Sequence, residues 1–275
     1  MARIAFRLAT AGVARCPVRA PTAGLVLQHL SQFNLADRPG MIAALRLDRG
    51  PGVVAIVPDG PAAVAGIRPG DVILAIDGTP VPPESGVAEP FAAARAHARA
   101  DAVYDLLARA KPFDVSLLRA GAVTTVQVAA RPACPSHVHL ARSAQRNAYA
   151  DGRHVFLTTG ILSLLRNNDE LAFIIAHEMA HNILGHAAIM RGATVKKGIG
   201  RTLGRSGEIV RGTESMADAL GAEMMLDAGF DPVRGVAILT RLGGADLGIA
   251  LLATHEPAGR RIAAVVAIAQ ARRSR

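Results

Sequence analysis

Apolar and polar residues follow two rhythms along this chain, and the change between them divides it. From 52 to 81, GVVAIVPDGPAAVAGIRPGDVILAIDGTPV, short apolar runs are broken every few residues by glycine and proline. Val53–Val57 and Val72–Ile76 are strand-length runs of mostly β-branched residues. Pro61 suits the first turn of a short helix over Ala62–Ala65, and Gly66 suits the left-handed residue that ends it. Pro69-Gly70 and Asp77-Gly78 read as turns. An insertion at 82–98 precedes an Ala-rich helical stretch whose apolar stripe is Val103, Leu106 and Leu107. PFDVSLLRAGAVTTVQVAAR then supplies two closing strands across Ala120-Gly121. Upstream, 1–37 reads as a separate segment with a helix and a lead-in strand, and Arg38-Pro39-Gly40-Met41-Ile42 opens a β-type pattern.

Past Arg131-Pro132-Ala133-Cys134-Pro135, where two prolines interrupt regular structure, the rhythm becomes helical. His154–Thr159 alternates as a strand and is expected at the edge of a cleft. LAFIIAHEMAHNILGH (171–186) is apolar nearly all round, with Leu171, Phe173, Ile174, Ile175, Met179, Ile183 and Leu184, so the helix is expected to be buried. Asn168 and Asp169 are placed to cap it, and Glu170 lies in its first turn. A second apolar helix, MADALGAEMMLDAG, is opened by Glu214-Ser-Met-Ala-Asp218. Between the two, residues 191–212 are basic and Gly-rich, and read either as a mobile connector gating a cleft or as an inert solvated loop. The expected class is α+β, with a small β-rich domain at 38–131 and a mainly helical domain with a small sheet at 132–275.

Composition narrows this little further. The 275 residues are 51% apolar, enough for two cores. A net charge of +9 comes mostly from arginines spread along the chain, and aromatic residues make up only 3%. That argues against a specific nucleic-acid partner and leaves at most a peripheral attraction to anionic membranes. No apolar run reaches the roughly 18 residues of a membrane span. Residues 1–16 lack the solid apolar stretch of an export signal. Cys16 and Cys134 are compatible with one disulfide or with two inert thiols.

The chemistry lies in His177, Glu178 and His181. At about 100° per helical residue, positions four apart share a face, so both imidazoles point the same way with Glu178 beside them. This is the H-E-x-x-H arrangement of zinc hydrolases, with a metal between the histidines and the glutamate within reach of its water. Catalytic zinc needs a third protein ligand. Glu214 is the candidate, with Asp218 one turn on to accept the free N–H of a liganding histidine; the alternative is a solvated acidic face. The metzincin pattern fails, because Leu184 and Ala187 stand where Gly and His are required. His186 falls near the opposite side of a continuous helix and is not expected to be a ligand.

Four blocks, NAYADGRHVFLTTGIL (147–162), NDELAFIIAHEMAHNILGH (168–186), ESMADALGAEMMLDAGFDP (214–232) and THEPAGRRI (254–262), resemble zinc metallopeptidases of family M48. Those include the CAAX prenyl proteases, a mitochondrial inner-membrane quality-control protease and periplasmic β-barrel-assembly-enhancing proteases. The resemblance implies Zn2+ on His177, His181 and Glu214, Glu178 as general base, and His255 at the active site. It departs from the family at Thr254-His255-Glu256-Pro257, which carries one extra residue before the proline. Residues 52–81 resemble a PDZ domain of the bacterial protease-associated type. That implies a groove for peptide C-termini, whose carboxylate-binding loop is matched to Gly40, Met41 and Ile42. Together these imply an endopeptidase acting on protein or peptide substrates in envelope quality control, in a periplasmic or otherwise extracytoplasmic setting, with a cytoplasmic one as the alternative. Two rivals are a non-cleaving PDZ adaptor with a structural zinc domain, and a basic nucleic-acid binder.

Overall fold

A computed structural model describes residues 1–82, 93–192, 195, 204–242 and 257–274. In chain order its elements are α1 (Ala2–Ala11), β1 (Leu25–Gln28), α2 (Arg38–Leu45), β2 (Gly52–Ile56), α3 (Pro61–Val64), β3 (Val72–Ile76), β4 (Thr79–Pro80), α4 (Ala93–Leu107), β5 (Phe113–Arg119), β6 (Ala122–Val128), β7 (His137–Ala141), β8 (Ala148–Ala150), β9 (His154–Thr158), α5 (Thr159–Leu162), α6 (Asn168–Ile183), α7 (His186–Arg191), α8 (Gly204–Asp227), α9 (Pro232–Val236) and α10 (Ala258–Arg273). The class is α+β. The elements form two units: Ala20–Pro132, and Arg3–Arg19 together with Ala133–Arg275.

The Ala20–Pro132 unit is built on an antiparallel sheet in the order β1-β2-β3-β5-β6, with β4 paired to β3. Two of its hairpins close on two residues, both left-handed: Asp77 and Gly78 (φ 47° and 72°), and Ala120 and Gly121 (φ 49° and 89°). Such turns follow the right-handed twist of the strands they join. Leu27, Val53, Ile73, Ile76, Val103, Phe113, Val115 and Leu117 fill the core. The Gly66–Asp71 loop is held by a buried carboxylate: Asp71 accepts from Arg119 Nε (2.7 Å), Arg119 Nη2 (2.6 Å) and the Arg68 backbone N–H (2.8 Å).

Two expectations fail here. Arg38–Leu45 is a helix, so Gly40, Met41 and Ile42 are not a loop ahead of a strand. Pro39 lies in its first turn, where a missing N–H is tolerated, and Arg38 is buried with Nε donating to the Phe33 carbonyl at 3.1 Å. The residues that lead into an edge strand are instead Ala23 and Gly24, ahead of β1. The N-terminal 37 residues are also not one segment. Arg3–Arg19 belongs to the helical unit, whereas β1 belongs to the sheet unit.

In the helical unit Ile4, Leu8 and Ala9 of α1 enter the core, and a Cys16–Cys134 disulfide with Cα atoms 5.6 Å apart fixes the turn that follows. Three strands run β7-β9-β8, with β9 parallel to β7 and antiparallel to β8. His154–Thr158 is therefore the central strand and not an edge. Val155 and Leu157 are buried on one face and His154 and Thr158 on the other, with Phe156 half-buried. Helix α6 runs through the middle, with Phe173, Ile174, Ile175, Ala176, Met179 and Ala180 at most 1% exposed. Its cap is Asn167, whose side chain accepts from Glu170 N–H at 3.0 Å; Asp169 instead accepts from Asp231 N–H at 3.0 Å at the start of α9. Glu170, buried in the first turn, is paired with Arg241.

Helix α8 starts at Gly204, inside the stretch expected to be a connector. The residues there have modest helix propensity, but Ser206, Val210, Thr213, Glu214, Ala217, Asp218 and Gly221 recur at three and four and form one buried stripe. Most of 191–203 and of the 82–98 insertion lies outside the described residues. None of the described helices is long and apolar enough to cross a membrane.

Candidate metal centre

Two helices bring the site together. Gly221 on α8 faces the backbone of α6 so closely that a Cβ there would lie 3.1 Å from His177 N and 3.2 Å from Ala176 C. A side chain at 221 would hold the helices apart. Without one, the buried stripe two turns earlier carries the Glu214 carboxylate to the His177 and His181 imidazoles.

The three groups converge. His177 Nε2 and His181 Nε2 are 3.0 Å apart, His177 Nε2 is 3.3 Å from Glu214 Oε2, and His181 Nε2 is 3.6 Å from Glu214 Oε1. Donors bound about 2.0–2.1 Å from one tetrahedral cation lie about 3.3 Å from each other. The observed distances bracket that value. Glu214 Oε2 is buried without a hydrogen-bond partner among the described residues, a costly arrangement for a carboxylate oxygen that a cation would remedy. His177, His181 and Glu214 thus fit a borderline divalent metal.

The remaining ring nitrogens are held from behind. His177 Nδ1 donates to Asp218 Oδ1 at 2.9 Å. Arg261 of α10, itself buried, donates to the same carboxylate from Nε at 2.6 Å and Nη2 at 2.7 Å. His181 Nδ1 lies 2.8 Å from His186 Nδ1. If His181 Nε2 is to offer a lone pair, its Nδ1–H donates to His186, which then keeps its own proton on Nε2.

Proton affinities follow from these contacts when the protein groups are taken alone. Burial lowers the His177 pKa, but the hydrogen bond to Asp218 and the nearby Glu214 carboxylate outweigh it and lift the value to about 9. Burial and the neighbouring His177 depress His181 to about 2. A proton held on His177 Nε2 would face both His181 Nε2 and Glu214, in the place a cation would take. Burial raises Glu178 to about 7, His177 and Arg261 opposing it and Glu214 adding to it. Burial would raise Asp218 too, yet its bonds from Arg261 and His177 bring it down to about 2.

His177, Glu178, His181, Glu214 and Asp218 are thus gathered in one place, whereas His255 lies outside the described residues. Arg261 and His186 were not singled out from sequence as site residues. Arg261 stands at the start of an apolar helix, where a buried arginine requires a carboxylate. His186 follows Gly185, which is left-handed (φ 67°) and ends α6, so His186 starts a new helix and turns back to His181.

Residues 118–199 match Peptidase family M48, and residues 52–98 match the PDZ domain. The magnetosome formation protease MamE of Magnetospirillum gryphiswaldense is 34% identical over 42% of this chain and 12% of its own length. The mitochondrial metalloendopeptidase OMA1 of Schizosaccharomyces pombe is 28% identical over 46% of this chain and 44% of its own. The chain thus spans less than half of either relative. Among solved structures, the HtrA-type protease AlgW with a decapeptide is 23% identical, covering 42% of this chain and 30% of that chain with a TM-score of 0.30. Along one sequence, a stretch similar to the PDZ domain thus comes before one similar to Peptidase family M48.

Proposed function

We propose that this chain is a zinc-dependent endopeptidase acting on protein substrates. The observation that carries the proposal is the convergence of His177, His181 and Glu214 at tetrahedral spacing, with the buried Glu178 beside them. Zinc, when bound by these three residues, supplies an acidified water and a Lewis acid. Glu178 is the general base: it takes a proton from the attacking water on its carboxylate, holds it there, and delivers it to the leaving amine. With its proton affinity raised to about 7 by burial, it is suited to do both near neutral pH. Asp218, fixed by Arg261, keeps the His177 Nδ1–H turned away so that Nε2 faces inward, and His186 does the same for His181. By its resemblance to the family motif, His255 is assigned to the oxyanion formed at the scissile carbonyl.

The PDZ domain is assigned to recruiting or restraining substrate by adding an extended peptide to a sheet edge. Strand β1 is the edge next to the Ala23-Gly24 lead-in, and it replaces the Gly40–Ile42 assignment. The Cys16–Cys134 disulfide supports an oxidising, extracytoplasmic compartment and with it a role in envelope protein quality control.

The test compares cleavage of an unfolded protein by the native chain and by Glu178→Gln, with zinc content measured in both. The expected result is a loss of about 10²–10⁴-fold in turnover at equal zinc content. Equal cleavage, or a folded native sample that takes up no zinc, contradicts the proposal.

A further inference from the structure

The strands of the helical unit carry a second group of imidazoles that the proposed hydrolysis does not use. β7 and β9 pair in parallel with His137 opposite His154 and His139 opposite Phe156. Side chains alternate along a strand, so these four share one face, while Val138, Val155 and Leu157 point into the core on the other. On the shared face His139 Nε2 lies 2.9 Å from His154 Nδ1, and the His137 ring centroid is 5.6 Å from that of His154. His139 stacks on Phe156 with centroids 5.2 Å apart, and Phe156 stacks on Tyr149 at 4.9 Å, which fixes the ring planes. His154 is buried, and His137 and His139 are half-buried, so the group is sheltered yet reachable from solvent.

Two imidazole nitrogens at hydrogen-bond distance share one proton between two lone pairs. A divalent cation can take that proton's place if the rings are set at the right separation, which is about 3.3 Å between donors on one tetrahedral ion. The His139–His154 pair, at 2.9 Å, nearly matches the 3.0 Å between His177 and His181 at the candidate metal centre. We propose that His137, His139 and His154 form a second transition-metal site, with His139 and His154 as the preset pair and His137 turning its ring inward as the third donor.

An all-imidazole set selects Zn2+, Cu2+ or Ni2+ over Mg2+ and Ca2+, which require oxygen donors. Arg153 lies close enough to His137 for its charge to be felt there. Arg153 opposes an added cation. The Asp151 carboxylate, which accepts the backbone N–H of His154 at 2.7 Å, acts in the other direction. A bound ion would also clamp β7 to β9 beside the core that supports α6.

The test is equilibrium dialysis of the full chain against micromolar Zn2+ after chelator treatment, with bound metal counted by elemental analysis. The native chain is expected to hold about two ions. His137→Gln with His139→Gln should lose one of them, and His181→Gln should lose the other, so failure at either centre is distinguished from failure at its neighbour. If the double substitution prevents folding, as judged by its thermal unfolding in chelator, His139→Gln alone is used, with at least about a tenfold weakening of the second equivalent expected. A native chain that binds a single ion, and loses it in His181→Gln, overturns the proposal. So does a folded His137/His139 variant that binds as many ions as the native chain.

Discussion

Asp218→Asn removes the charge on which the back of the metal centre depends while keeping the shape of the side chain. The carboxylate is 2% exposed and accepts from His177 Nδ1, Arg261 Nε and Arg261 Nη2, so all its partners are donors. An amide has only one accepting oxygen, and its NH2 must point at either Arg261 or His177. The carboxyl's fall from a usual 3.8 to about 2, close to two pKa units, corresponds to about 2 kcal/mol in favour of the ionised form. Leaving the Arg261 guanidinium buried without its counter-charge brings the expected loss to about 3–5 kcal/mol, a large part of the roughly 5–15 kcal/mol that holds a domain folded.

The assay is urea unfolding in chelator, followed by zinc competition, on the native chain, Asp218→Asn, Arg261→Gln and the double variant. Zinc affinity should fall about 10–100-fold in Asp218→Asn, because His177 loses the partner that sets its tautomer. The double variant should lose less than the sum of the single losses, by at least about 1 kcal/mol. Since the folded-state pKa is depressed, this stabilisation is present above pH 3.8 and disappears as the pH falls towards 2, and Asp218→Asn should lack that acid limb. A loss under about 1 kcal/mol with unchanged zinc affinity, or strictly additive single losses, would refute the reasoning.

Further outcomes follow from the same geometry. Without metal, the raised His177 pKa contributes stability below pH 6.5 that is lost as the pH rises through about 9. Zinc must displace that proton, so the stabilisation zinc adds should grow with pH over this interval and binding should release about one proton near pH 7.5, read by calorimetry in buffers of different ionisation enthalpy. Zinc-induced stabilisation that is flat with pH would contradict this. Gly221→Ala inserts a methyl 3.1 Å from His177 N and must push α8 from α6 by a few tenths of an ångström. Overpacking of this kind costs about 1–3 kcal/mol and should weaken zinc binding, whereas Gly212→Ala, which meets no atom within 4 Å, should do neither.

What the sequence disclosed and what it concealed divide along physical lines. Local chemistry was readable: Asp77-Gly78 and Ala120-Gly121 close hairpins because glycine, and less readily aspartate, tolerates left-handed backbone, and the three-and-four spacing on α6 and α8 places charged groups on inward faces. Contacts between distant segments were not. Arg38–Leu45 reads as the opening of a β-type run, whereas the chain there is a helix with Pro39 in its first turn and Arg38 buried. Gly204–Gly212 looks like a loop by propensity, yet its buried stripe continues the face of α8. His186 was excluded by extending an ideal helix past Gly185, where the chain turns, and β9 was placed at an edge because strand order depends on pairings that no single strand records. Arg261 comes from a helix more than forty residues after Asp218, and nothing near it in sequence shows that they meet.

The most direct test of the account is the zinc-edge anomalous difference map from a crystal of the zinc-loaded chain. The account predicts a peak about 2.0–2.1 Å from His177 Nε2, His181 Nε2 and a Glu214 oxygen, with no fourth protein ligand and Glu178 facing the open position. A peak closed off by a fourth side chain, or none between these residues in a folded, zinc-saturated crystal, would contradict it.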